Sequence, residues 1–183
     1  DVVILAVGET FDMSGEGKSR AGIELPGVQE ELIKAIKATG KPMVVLVMAG
    51  RPLIFNWTAD NAQSILYTWW LGSEAGNAMA NVHFGDYNPG GKLPMTFPRA
   101  EGQIPIFYSY KNTGRPPLNN NDKLYRSIYL DMPNTPRFAF GYGLSYTSFS
   151  FTDLQITKSS MTPDEKVVIS FNLKNSGRFA GSE

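Results

Sequence analysis

The sequence predicts an α/β chain with a mostly parallel sheet, followed by the start of an all-β module. Three observations carry that reading. Val2 to Val7 and Met43 to Met48 are continuous apolar runs on either side of a helical stretch, the strand, helix, strand order of a parallel sheet. A third apolar run, Ile65 to Trp70, again leads into a helical stretch, Ser73 to Phe84, with Glu74 near its start. Beyond Ser145 the pattern shifts to a period of two, which belongs to strands.

Each element has its own punctuation. Gly8 bounds the first run, which reads as a strand buried on both faces. Pro26 opens the first helix, in which Val28, Leu32, Ala35 and Ile36 recur at spacings of three and four. Glu30 and Glu31 stand in its first turns, and Gly40 closes it after Lys37. Pro42 precedes the second strand. From Gly85 to Gly143 the chain is rich in proline, glycine, asparagine and tyrosine, with short apolar pieces such as Ile104 to Tyr108. That composition reads as irregular structure wrapped on the sheet, because so many aromatics resist full solvation. At the C-terminal end, Phe149, Phe151, Leu154 and Ile156 lie in one segment, and Val167, Ile169, Phe171 and Leu173 alternate in another. Ser160 to Glu165 joins them, so two antiparallel strands are expected.

Composition narrows the chemistry. With 183 residues, 42% hydrophobic and 19% charged, the chain can bury one core or one core and part of a second. Seventeen basic and seventeen acidic residues cancel, which argues against nucleic acid and anionic membrane as partners. Met43 to Ala49 is the longest apolar run, far short of the roughly 20 residues that cross a bilayer, so a soluble chain is expected. There is one histidine and no cysteine. A Ser-His-Asp triad would have to use His83, thiolate catalysis is impossible, and no His/Cys cluster has zinc-ligand spacing. Neither metal nor cofactor is expected. Carboxylate chemistry remains, and the chain, which starts at Asp1, reads as cut from something longer.

The carboxylates gather after the first strand. Glu9, Asp12 and Glu16 share a polar loop with Lys18 and Arg20. Gly15-Glu16-Gly17-Lys18-Ser19 has the look of a phosphate-binding loop, but Asp12 stands where the first glycine is needed and Pro26 delays the helix. Glu16 itself has two readings. Glycines on both sides would let it be carried into a cleft and desolvated there, raising its pKa as a general acid requires. Spacing alone favours the plainer alternative, a surface ion pair with Arg20 or Lys18.

Longer stretches carry a resemblance. The VGE...SGEGKSR loop, KATGKPMVVLVMAGRPL, SILYTWWLGSEAGNAMANVHFGDYNPGGKLPMTFPR, NTGRP and FAFGYGLSYTSF follow one another over nearly the whole chain. In that order they resemble the C-terminal part of a family 3 glycoside hydrolase of the periplasmic β-glucosidase type. The resemblance implies an α/β sandwich domain over 1–145, incomplete at its N-terminal side, and the truncated beginning of a fibronectin type III-like domain over 146–183. It implies a (β/α)8 barrel ahead of the chain that bears a nucleophilic aspartate. It places the general acid/base at Glu16, with Glu9 supporting the loop, and assigns Lys18 and Phe11 to substrate binding. Related enzymes often carry an aromatic at the Lys18 position, where it stacks on the aglycone sugar; a lysine would hydrogen-bond instead.

The activity so implied is removal of terminal β-D-glucosyl residues by retaining double displacement, which needs two carboxyl groups about 5 Å apart. This chain supplies one of them, so the fragment alone is expected to be inactive. A periplasmic or secreted location is implied too, and a homo-oligomer stays open. The rival reading is a non-catalytic module for carbohydrate binding or domain packing. Trp69 and Trp70 read as core, His83 as a residue that caps or pairs at its helix end, and Gly141-Tyr142-Gly143 as a tight turn. Asp86, Asn88, Gly90 and Gly91 read as turn-setting residues.

Overall fold

Parallel strands need a crossover between them, and the sequence supplies one twice. In the computed structural model, which describes residues 1–112, 114–117 and 125–183, β1 (Val3–Gly8), α1 (Gln29–Ala38) and β2 (Met43–Met48) form the expected first unit. Thr113 of the NTGRP stretch lies outside the described residues. A second crossover runs from β2 through α2 (Asn56–Asn61) to β3 (Ser64–Tyr67). The strands pair in parallel in the order β1-β2-β3, with Leu5 opposite Val45 and Val45 opposite Ile65.

One face of this sheet is packed and the other is half open. Leu5, Val7, Met43, Val45 and Val47 point into a core with Ile33, Leu53, Phe55 and Phe97. Their neighbours Ile4 and Ala6 are exposed, so β1 is an edge strand with one buried face, where its unbroken apolar run had suggested two. The inward side of α1 also departs from the expected stripe. Ile33 is fully buried and Ile36 packs on the core, whereas Val28 precedes the helix and, like Leu32, is exposed.

The six-residue α2 has no sequence period long enough to show itself. Contacts with α1 hold it: Lys37 Nζ donates to the Asn61 carbonyl at 2.6 Å, and Lys34 Nζ lies 5.5 Å from the Trp57 ring centroid. Strand β3 stops at Tyr67 because Trp69 takes φ 55, a left-handed conformation that turns the chain. Trp69 packs on the core as expected, its ring 4.9 Å from Tyr67 and 5.8 Å from Phe97. Trp70, beyond the turn, is exposed instead.

The first of two compact units comprises Asp1–Gly76 and Leu93–Tyr142. Its irregular second part closes over the core through Phe97 and Phe138, which form an antiparallel bridge. Other aromatics there, Tyr108 and Tyr110 among them, remain exposed, so only some of that stretch is covered. Gly141, at φ 81, makes the expected tight turn, with the Tyr142 amide donating to the Ala139 carbonyl.

The second unit comprises Asn77–Lys92 and Gly143–Glu183. It holds most of α3 (Ala75–Phe84) and the antiparallel pair β4 (Phe149–Ile156) and β5 (Ile169–Asn175). Asn88 ties its pieces together. Its Oδ1 accepts from Ser145 Oγ and the Tyr146 amide, both at 2.8 Å, and its Nδ2 donates to the Ala180 carbonyl at 2.8 Å. His83 stands in the last turn of α3 with its ring 4.9 Å from that of Phe84.

Candidate active site

A parallel sheet gathers its loops at the carboxyl ends of its strands, where α/β proteins bind ligands. Here the loop after β1, the segment after β2 and the turn after β3 meet. Gly8, at φ 134, lets β1 run against β2 before the chain turns into the loop. The side-chain amide of Gln29 satisfies both backbone groups of Gly8, accepting from its N–H at 2.7 Å and donating to its carbonyl at 2.9 Å. The first residue of α1 thereby fixes where the loop begins.

The next residue is the electrostatic centre. The Glu9 side chain is fully buried and its carboxylate takes Arg20 Nη1 at 2.8 Å and Arg51 Nε at 2.9 Å. A buried carboxylate needs such partners, because leaving it unpaired costs several kcal/mol, on the order of 3–5. Arg51 Nη2 also donates to the Met13 carbonyl and, at 3.2 Å, to the Lys18 carbonyl. Arg20 Nη2 donates to the Glu24 carbonyl at 3.2 Å. Tyr67, at the end of β3, donates its hydroxyl to the Arg51 carbonyl and accepts from the Leu53 amide at 3.2 Å. Burial pushes that hydroxyl above the usual tyrosine range, so it stays a donor.

The rest of the loop stands outside this knot. Asp12 accepts from the Thr10 hydroxyl, and that bond, its own backbone amide and the charge of Lys18 hold its carboxyl below the usual range. Gly15 at φ 136 and Gly17 at φ 69 flank Glu16. Glu16 is exposed, and among the described residues it has neither hydrogen bond nor ion pair. The surface ion pair that spacing favoured is therefore absent: Arg20 turns to Glu9, and Lys18 Nζ sits 5.5 Å from the centroid of the exposed Phe11 ring. The structure thus joins Phe11 to Lys18 at one lip of the loop. No helix follows Ser19 directly, since α1 starts at Gln29.

Gly50 seats the tip. A β-carbon there would stand 2.1 Å from Ser14 Oγ and 2.6 Å from Trp70 Nε1, so the absence of a side chain lets both approach the end of β2. Sequence reading missed Gly50 and Arg51. The AGRP stretch after β2 was the available signal, since a glycine and an arginine at the carboxyl end of a central strand stand where site residues gather.

Residues 1–146 match the family described as the glycosyl hydrolase family 3 C-terminal domain. The chain belongs to that family. This family 3 domain is 48% identical over its whole length to a periplasmic β-glucosidase of Salmonella typhimurium, and 44% identical to a β-xylosidase of Formosa agariphila. It spans 24% of the length of each, so it is about a quarter of the curated relatives it matches. Its fold superposes on a β-glucosidase from Listeria innocua solved in complex with glucose. That match has a TM-score of 0.94 at 40% identity, over 99% of this chain and 25% of the other. The mixed architecture, a small parallel sheet and a small antiparallel one, is that of these family 3 structures.

Proposed function

We propose that this family 3 domain is the acid/base-donating part of a retaining β-glucosidase that removes terminal non-reducing β-D-glucosyl residues. One observation carries the assignment to Glu16. Of the loop's three carboxylates, Glu9 is committed to two arginines and Asp12 to Thr10, and among the described residues Glu16 alone is unengaged, on a glycine-flanked tip. A proton donor has to come within hydrogen-bond reach of its substrate, and a carboxyl group with no partner in the domain is free to do so. The relatives named β-glucosidases support glucose as the sugar, beside one named a β-xylosidase, and the periplasmic β-glucosidase supports a periplasmic or secreted enzyme.

In this reading Glu16 protonates the leaving oxygen and then, as a carboxylate, deprotonates the water that releases the sugar. The attacking carboxylate comes from a (β/α)8 barrel elsewhere in the full-length protein. Lys18 and Phe11 line the aglycone side, with the ammonium positioned to hydrogen-bond the leaving group. The family match ending at residue 146 supports an α/β sandwich domain over 1–145, and the exposed β4–β5 pair supports 146–183 as the beginning of a fibronectin type III-like domain.

The division of labour is tested by assaying the 183-residue chain and the full-length enzyme side by side on an aryl β-glucoside and its β-xyloside. The full-length enzyme is expected to turn over the glucoside faster, and the chain alone to turn over neither, because an acid without its nucleophile lacks the covalent route. Turnover by the chain alone would place both carboxylates within it and overturn the scheme.

A further inference from the structure

A proton donor on a glycine-flanked tip has a positional problem. Gly15 and Gly17 adopt backbone conformations that suit glycine, and the tip's own turn is closed by one backbone bond, Lys18 amide to Gly15 carbonyl at 3.1 Å. Such a turn offers little resistance to displacement, and the placement of Glu16 has to come from what holds the tip's two feet. Those feet are Met13 and Lys18, and the carbonyls of both accept from Arg51 Nη2.

Arg51 is itself well anchored. It follows β2, the central strand, and its Nε is held 2.9 Å from the buried Glu9 carboxylate. Its carbonyl accepts from Tyr67, so the third strand fixes its main chain. The guanidinium is a planar, five-donor fork, and this one touches the loop at its start, just before the tip and just after it. A lysine has a single nitrogen, which cannot stay on Glu9 as Nε does and also reach the two carbonyls as Nη2 does.

We propose that Arg51 is a positioning residue that sets the place of Glu16 by holding both feet of its loop. This rests on the reading of Glu16 as proton donor. It goes beyond that reading by assigning the precision of proton delivery to a residue on a different element. Displacing a catalytic group by about 1 Å costs up to roughly a hundredfold in rate. The loss should fall on the step that needs the proton.

The test uses the full-length enzyme with Arg51→Lys, Glu16→Gln and the double variant, each assayed on an alkyl β-glucoside and on a dinitrophenyl β-glucoside, with thermal unfolding alongside. Arg51→Lys should lower kcat on the alkyl glucoside on the order of 10- to 100-fold. It should change the rate of the dinitrophenol burst only a few-fold, and leave KM for the alkyl glucoside little altered. The double variant should be no slower on the alkyl glucoside than Glu16→Gln, since one residue acts through the other. Equal losses on the alkyl glucoside and in the dinitrophenol burst, or losses that multiply in the double variant, would overturn the proposal while a selective Glu16→Gln left the reading of Glu16 standing. An unselective Glu16→Gln would instead defeat that reading and this proposal with it. If Arg51→Lys does not fold, Glu9→Gln/Arg51→Gln, which removes opposite charges together, is held to the same outcomes.

Discussion

Glu16→Gln in the full-length enzyme is expected to slow hydrolysis of alkyl and oligosaccharide β-glucosides by about 10²- to 10⁴-fold. Glutamine keeps the size, and its amide can still hydrogen-bond, but it has no acidic proton. An alkoxide cannot leave without one, so these substrates bear the whole loss. A dinitrophenolate leaves unaided, and formation of the glycosyl-enzyme from it should be nearly unchanged. Release of the sugar needs the same residue as a base, so that substrate should show a burst followed by slow turnover. Folding should be unaffected, within about 0.5 kcal/mol, because Glu16 is exposed and makes no contact that glutamine would break. Equal slowing of the alkyl glucoside and of the dinitrophenol burst would sink the assignment.

The largest effect on stability is expected at Gly8. A β-carbon there would lie 1.8 Å from the Met48 carbonyl oxygen and 2.6 Å from its carbon, both main-chain atoms of the paired strand. Neither can move without separating β1 from β2, because Gly8 and Met48 are register partners and the Glu9 amide donates to that same carbonyl at 2.8 Å. The residue also sits at φ 134, which strains any side chain. Gly8→Ala should therefore cost more than about 4 kcal/mol, a large share of the 5–15 kcal/mol typical of a domain. Circular dichroism on heating, or the yield of soluble protein, will read it. A variant melting within a few degrees of the parent would contradict the close approach described.

What the sequence made legible follows from how local each signal is. β1, α1 and β2 were readable because a continuous apolar run, Pro26 and Gly40 all lie within a few residues of the element they mark. The β4–β5 pair was readable from its alternation. Helix α2 is too short for a period, and Ile33 escaped because the helical stripe through Val28 and Leu32 looked equally apolar until the sheet showed which side it covered. In the site, the resemblance singled out Glu16 and gave Glu9 its supporting role. The signal at Arg51 went unread because its partner Glu9 lies 42 positions away, brought near only by parallel pairing. Trp70 misled because the strand ends at a left-handed residue, which nothing in an apolar run announces.

The most direct test of Glu16 as the acid/base is chemical rescue. Full-length enzyme carrying Glu16→Ala, given a dinitrophenyl β-glucoside and sodium azide, forms a glycosyl-enzyme that water attacks slowly for want of a base. Azide needs no base, and the space left by the carboxylate admits it beside the sugar. Turnover should rise with azide concentration and yield a β-glucosyl azide of retained configuration. An azide-independent rate, with glucose as the sole product, would contradict that role for Glu16.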